Sequence, residues 1–160
     1  MGNNIIVGIS EMKFSNKKGD KLVTYSLGSC LGVAIYDPVA RVGGLIHCML
    51  PLSKVSPDKA KNNPSMFVDT GTPLLFQEAY RLGARKDRLI VKIAGCSQLL
   101  DNKGIFKIGK RNYTVFRKLL WKNNIIINSE HVGNNLSRTM FLEVATGRVS
   151  LKIKGQEVEL

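Results

Sequence analysis

The chain has 160 residues, 44% of them hydrophobic, which is enough for a single domain over residues 1–160 with one sizeable core. Against 12 Asp and Glu stand 24 Lys and Arg, a formal net charge of +12 that favours acidic partners and leaves the fold open. The basic residues are scattered, with pairs such as Lys17-Lys18 and Lys110-Arg111 but no basic tail, so nucleic-acid binding is not expected; no apolar run approaches the roughly 20 residues of a bilayer span, so an integral membrane segment is not expected either.

In chain order, Ile5 to Ile9 reads as a first strand and Ser15 to Asp20 as a turn-rich break. Leu22 to Leu27 reads as a strand ending at Gly28-Ser29. Leu31 to Tyr36 and Val42 to Leu50 follow as two more, separated by Asp37-Pro38. The polar stretch Ser53 to Pro64 reads as a mobile loop. Phe67, Leu74, Leu75, Ala79 and Leu82 share a helix face that stops at Gly83, with Pro73 as a kink or a start. Arg88 to Ala94 is a strand, Gly109 to Asn123 a second helix with Val115, Phe116, Leu119 and Leu120 as its stripe, and Ile125 to Asn128 a strand. Thr139 to Val144 and Arg148 to Ile153 form a hairpin around Ala145-Thr146-Gly147. Adjacent strands with two helices define an α+β class: a layered sandwich of largely antiparallel sheet with two main helices packed on it.

Three cysteines, Cys30, Cys48 and Cys96, are an odd number without C-x-x-C spacing, which points to reduced thiols in the cytosol. The start of the chain lacks a signal-peptide pattern, and Ile6 stands where myristoylation wants Ser or Thr. The reading is a soluble, cytoplasmic protein. Two histidines and dispersed cysteines give no metal-ligand spacing, and no glycine-rich phosphate loop is present, so neither metal nor cofactor is expected.

The segments on either side of Asp37-Pro38 carry the chemistry. With Asp37 to Ala40 as a four-residue loop, Tyr36 faces Arg41, Gly32 faces Leu45 and Cys30 faces His47. A shift of the pairing by two residues keeps the thiol and the imidazole on one face, and a shift by one separates them. Leu31, Val33 and Ile35 would lie on the other face with Val42 and Ile46, while Gly32, Ala34 and Gly43 would leave the Cys30/His47 face open. An imidazole beside a thiol can take its proton and make the thiolate nucleophile. A third group must hold the imidazole's tautomer, and Thr24, one strand earlier, can do so. A tight turn at Gly28-Ser29 would leave backbone N–H groups near the sulfur, making Ser29 an oxyanion-hole candidate. Cys48 should point to the opposite face as core. Cys96 reads as structural, His131 as a loop residue without a partner, and Trp121 and Phe116 as helix core.

Leu27-Gly28-Ser29-Cys30-Leu31-Gly32-Val33-Ala34-Ile35-Tyr36-Asp37-Pro38, followed by Gly43-Gly44-Leu45-Ile46-His47-Cys48-Met49-Leu50-Pro51, closely resembles the CheD family of chemoreceptor glutamine deamidases. The likeness continues through Tyr80 to Ala84, Lys92-Ile93-Ala94-Gly95, Ile108 to Asn112, Gly133, Arg138 and Thr146-Gly147. The resemblance implies a triad of Cys30 as nucleophile, His47 as base and Thr24 as orienter, in an arrangement similar to that of bacterial toxin deamidases. It implies conversion of glutamine to glutamate on methyl-accepting chemoreceptors through a Cys thioester, with hydrolysis of glutamyl methyl esters in some relatives. It also implies recruitment to membrane-bound receptor arrays and a second partner, the CheC phosphatase. The alternative is a binding module without catalysis that regulates receptors or CheC. Two departures stand out: relatives commonly have Gly-Gly where this chain has Gly95-Cys96, and Asp-x-Gly-Gly where it has His131-Val132-Gly133-Asn134. Asn tolerates a left-handed backbone, so Asn134 can keep that turn.

Overall fold

The computed structural model describes residues 2–98 and 107–160. Among the described residues, ten strands and three α-helices follow in the order β1 (Asn4–Ile6), β2 (Met12–Ser15), β3 (Lys21–Leu27), β4 (Leu31–Asp37), β5 (Val42–Cys48), α1 (Pro57–Asn62), α2 (Val68–Arg81), β6 (Ile90–Gly95), α3 (Ile108–Lys122), β7 (Ser129–Val132), β8 (Arg138–Glu143), β9 (Val149–Ile153) and β10 (Gln156–Glu159). Two five-stranded sheets form, one in the order β1-β3-β8-β9-β10 and the other β2-β5-β4-β6-β7. Pairing is antiparallel except for β1 with β3 and β6 with β7. The class is α+β, as expected.

All residues of β4 and β5 are buried, because the sheet they belong to is covered on both faces. Leu31, Val33, Ile35, Ile46 and Cys48 pack with Leu75, Phe76, Phe116 and Leu120 under α2 and α3. Ala34, Tyr36 and Leu45 pack instead against Leu22, Leu27, Met140 and Leu142 of the other sheet. The molecule is therefore helices on sheet on sheet, with each fully buried Leu or Phe contributing roughly 1.5–3 kcal/mol. Small residues at the sheet-to-sheet contact leave no opening. A Cβ on Gly32 would lie 2.8 Å from Leu27 Cδ1 and 3.0 Å from Met140 Sδ, so this glycine lets the layers touch.

The β4–β5 hairpin is offset by one residue on each strand from the expected register. Asp37 pairs with Val42, leaving Pro38 to Arg41 as the loop, and Gly32 pairs with His47. The cause is the Asp37 carboxylate, which accepts the N–H groups of Val39 and Ala40 at 2.8 and 3.0 Å and so closes the turn one residue later. Arg41, at φ 55°, completes it with its N–H on the Asp37 carbonyl. The offset moves the pairing by two, which preserves the face of every side chain.

Other elements depart from the sequence reading for local reasons. Ser53 to Pro64 is not an open loop: it carries α1 and two 3₁₀ turns, and the Asp69 carboxylate anchors it by accepting Ser53 N–H (2.9 Å) and Oγ (2.9 Å). Pro73 lies inside α2. Ile125 to Asn128 lies outside the ladder, because Asn128 exchanges its N–H and its side-chain oxygen with Val91 and pairing with β6 starts at Ser129. The short β2 and the fully exposed β10 were not expected. The latter closes a two-residue turn in which Lys154 and Gly155 both have positive φ, the geometry that matches strand twist.

Candidate functional site

The connection from β3 to β4 crosses from one sheet to the other, and Gly28-Ser29-Cys30 is the crossing. β3 loses regular pairing between Thr24 and Leu27, and Ser26 takes φ 58°. Cys30, half-buried, reaches a cleft of about 440 Å³ at the end of the sandwich. Ile9, Met49, Leu50 and Ile108 give the cleft apolar walls, and Ser29, Ser97 and Gln98 give it polar ones. A larger depression of about 660 Å³, between Tyr80 and Asn124, has neither a thiol nor an imidazole among its lining residues.

His47 is wholly buried in β5, and Thr24 is wholly buried on the facing β3. Thr24 Oγ1 and His47 Nδ1 lie 2.7 Å apart, across the two sheets. The tautomer follows from proton counting. Thr24 has one hydroxyl proton and donates it to the Val7 carbonyl at 2.7 Å. Towards His47 it can only accept, so Nδ1 carries the ring proton and Nε2 presents a bare lone pair. That Nε2 is buried and makes no hydrogen bond among the described residues. Burial also holds the imidazole neutral, with its pKa pulled down to about 4. The Cys30 thiol is pushed up to about 11 by burial, partly offset by its own backbone N–H facing the sulfur. The resting pair is therefore neutral thiol and neutral imidazole.

Two residues without an assigned role in the sequence reading hold the crossing in place. Asn112 of α3, fully buried, donates from Nδ2 to the carbonyls of Ser29 (2.9 Å) and Met49 (3.3 Å). Since the peptide unit is planar and trans, drawing the Ser29 carbonyl toward α3 sends the Cys30 N–H the other way. The Oδ1 of Asn112 is buried without a partner among the described residues. The available signal was a polar residue on a buried stripe, Gly109-Asn112-Phe116-Leu120. Arg138, 1% exposed, is the second. Its guanidinium donates to Gly95 O (3.2 Å), Ser97 Oγ (2.7 Å), Gly133 O (2.9 Å) and His131 Nδ1 (2.9 Å). The Ser97 and Cys96 N–H groups in turn hold the carbonyls of Gly28 and Cys30, at 2.9 and 2.8 Å. The clamp thus reaches both sides of the thiol.

His131 is consequently not a partnerless loop residue: it lies in β7 and accepts from Arg138. Trp121 is not core but 80% exposed, because it sits about 140° around α3 from the buried Phe116. Cys48 is core, as expected, opposite Leu31. Cys96 packs in the same core at φ 57° and Asn134 takes φ 60°, so both departures from the resembled pattern occupy left-handed positions that favour glycine. Gly95, at φ 107°, could not carry a side chain, since a Cβ there would lie 2.2 Å from the Cys30 carbonyl.

Fold and cleft together define an α+β protein of two stacked sheets that brings a thiol, a neutral imidazole and a tautomer-fixing hydroxyl into one region. The chain belongs to the CheD family. Residues 49–153 match the family described as CheD chemotactic sensory transduction. A probable chemoreceptor glutamine deamidase, CheD 1, of Syntrophus aciditrophicus is 53% identical over 95% of this chain and 95% of its own length. The protein of the same description from Solibacter usitatus is 44% identical over 98% of this chain and 92% of its own. Among solved structures, the hypothetical protein YfiH of Bacillus licheniformis superposes with a TM-score of 0.47 at 16% identity, over 76% of this chain and 49% of that one. Among the described residues no helix is long and apolar enough to cross a membrane.

Proposed function

We propose that this chain deamidates selected glutamine side chains of methyl-accepting chemoreceptors, with Cys30 as nucleophile, His47 as general base and Thr24 as the group that fixes His47. The observation that carries the mechanism is the 2.7 Å contact of Thr24 Oγ1 with His47 Nδ1, which leaves Nε2 free to take a proton. The names of the full-length relatives carry the choice of substrate.

The glutamine side chain enters the cleft and Cys30 Sγ attacks its amide carbon. The thiol proton passes to His47 Nε2 as the C–S bond forms. The carbonyl oxygen becomes an oxyanion facing the N–H groups of Ser29 and Cys30. His47 returns the proton to the amide nitrogen, the C–N bond breaks and ammonia leaves. Water, deprotonated by the same nitrogen, adds to the thioester; the C–S bond breaks, glutamate is released and the thiol recovers its proton. Because burial disfavours both thiolate and imidazolium at rest, the charge pair forms only as the reaction proceeds. Threonine supplies direction without a counter-charge, so its part is tautomer selection rather than stabilisation of the imidazolium.

The same reading puts the chain in the cytoplasm at receptor arrays and includes CheC as a partner that covers the cleft. Incubation with a receptor cytoplasmic fragment, followed by peptide mass mapping, tests the activity. Glutamine-to-glutamate conversion should appear with the native chain and vanish with Cys30→Ala; conversion that survives the substitution removes Cys30 from the mechanism.

A further inference from the structure

α3 begins at the cleft, where Ile108 and Gly109 form part of the wall, and runs about 20 Å from there to Trp121. Its buried side is fully accounted for by Gly109, Asn112, Phe116 and Leu120. Its outer side is strongly basic. Lys110, Arg111, Arg117, Lys118 and Lys122 are all exposed, and residues 108–122 contain no acidic residue. None of the five takes part in an ion pair among the described residues. In the midst of them stands Trp121, 80% exposed and the single tryptophan of the chain. Arg117 stacks over the Tyr113 ring at 5.6 Å, and together with Thr114, Lys118 and Trp121 these residues line a shallow depression of about 310 Å³.

Cations without a carboxylate partner around an exposed aromatic ring form a surface that gains from an acidic partner with some apolar contact area. Their position narrows the partner further. A polypeptide whose glutamine is seated beside Cys30 must lay its flanking residues over whatever borders the cleft, and α3 is a border. We propose that the outer face of α3 is the docking surface for the acidic stretch of the substrate polypeptide flanking the target glutamine, with Lys110, Arg117 and Lys118 meeting its carboxylates and Trp121 its apolar side chains. The proposal rests on the deamidase reading for the identity of that polypeptide.

Trp121 provides the readout, because all tryptophan fluorescence of the chain comes from this surface. The full-length Cys30→Ala protein, unable to turn substrate over, is titrated with a chemoreceptor cytoplasmic fragment. In parallel arms the probe is a mixed duplex DNA or vesicles of phosphatidylserine and phosphatidylcholine. Docking predicts a blue shift and protection from acrylamide quenching with the fragment, weakening steeply with added salt. Arg117→Glu with Lys118→Glu should raise the apparent Kd at least about tenfold. In the otherwise native chain the same pair should leave turnover of a blocked glutaminyl-glycine dipeptide unchanged, which also shows that the variant folds. Turnover of the fragment by the native chain with no change at Trp121 overturns the surface and keeps the deamidase. A change at Trp121 without any turnover keeps the surface and removes the deamidase. Equal or stronger responses to DNA or vesicles overturn the assignment to a polypeptide.

Discussion

The two ends of the β4–β5 hairpin are built from the same strands and treat their polar groups in opposite ways. At the turn end, the Asp37 carboxylate is wholly buried and accepts from Val39 N–H, Ala40 N–H, Arg85 N–H and the Arg88 guanidinium. Burial alone would raise its pKa, but Arg88 and the three N–H groups overcome that and hold it down to about 2. At the open end, His47 Nε2 and Asn112 Oδ1 are buried and have no hydrogen-bond partner among the described residues. An unpaired buried polar atom costs about 1–3 kcal/mol, so this end gives up stability that the turn end keeps. One end closes the hairpin, and the other leaves a buried lone pair that the proposed mechanism uses as the base.

Substitutions should separate the two ends cleanly. The largest effect belongs to Cys30→Ala, which should lower receptor-fragment deamidation by at least about 10³-fold while leaving the thermal midpoint close to native; His47→Gln should fall in the same range. Next comes Thr24→Val, which removes the acceptor for the Nδ1 proton and frees the imidazole to adopt the wrong tautomer. A loss of about 10–100-fold in kcat with little change in KM is expected, and a drop confined to KM would contradict the tautomer role. Asn112→Asp, unable to donate to Ser29 O, should cost a similar factor in kcat; alkylation of Cys30 by iodoacetamide, which needs no oxyanion stabilisation, should stay near the native rate.

Acid sharpens the comparison because the two ends titrate apart. In the proposed mechanism neutral His47 is the active form, and burial holds its pKa at about 4, below the ordinary 6.5. Deamidation should therefore be level through neutral pH and fall on the acid side as pH passes about 4. For stability, unfolded His47 takes its proton near 6.5 and the folded residue only at about 4, so the fold loses stability as pH drops through that interval. Asp37 acts lower: its contribution is complete above 3.8 and is lost as pH falls through about 2. The smallest effect on catalysis should come from Asp37→Asn. It should lower the unfolding free energy by roughly 1–3 kcal/mol and leave kcat within about twofold of native. Chemical denaturation paired with a deamidation assay measures both.

Much of this contrast was legible in the amino-acid order. Alternation placed Cys30, Gly32 and His47 on one face and Leu31, Val33 and Cys48 on the other. It survived a register offset because the offset was even. Thr24 could be named from the resemblance and from its place one strand earlier, but not its hydroxyl bond to Val7 O, which decides the tautomer. That bond spans 17 residues and depends on the parallel pairing of β1 with β3, which the short Asn4–Ile6 segment does not announce. The offset itself came from an aspartate side chain competing with the ladder for its own turn. Asn112 and Arg138 were within reach as polar residues in apolar surroundings, yet their partners are backbone carbonyls of distant loops, which sequence periodicity does not encode. Trp121 was misplaced because a large aromatic on an amphipathic helix invites assignment to the core, whereas angular position decided it.

In the proposed mechanism Cys30, served by His47, forms an acyl bond to a receptor glutamine. Its most direct test is the reaction of a receptor cytoplasmic fragment with the native chain in water enriched in heavy oxygen, read by peptide mass spectrometry. One heavy oxygen should enter each new glutamate, a transient adduct of the fragment should form on the peptide containing Cys30, and both should be lost with Cys30→Ala. Glutamate formation at the native rate in the Cys30→Ala protein, or an adduct on another residue, would contradict it.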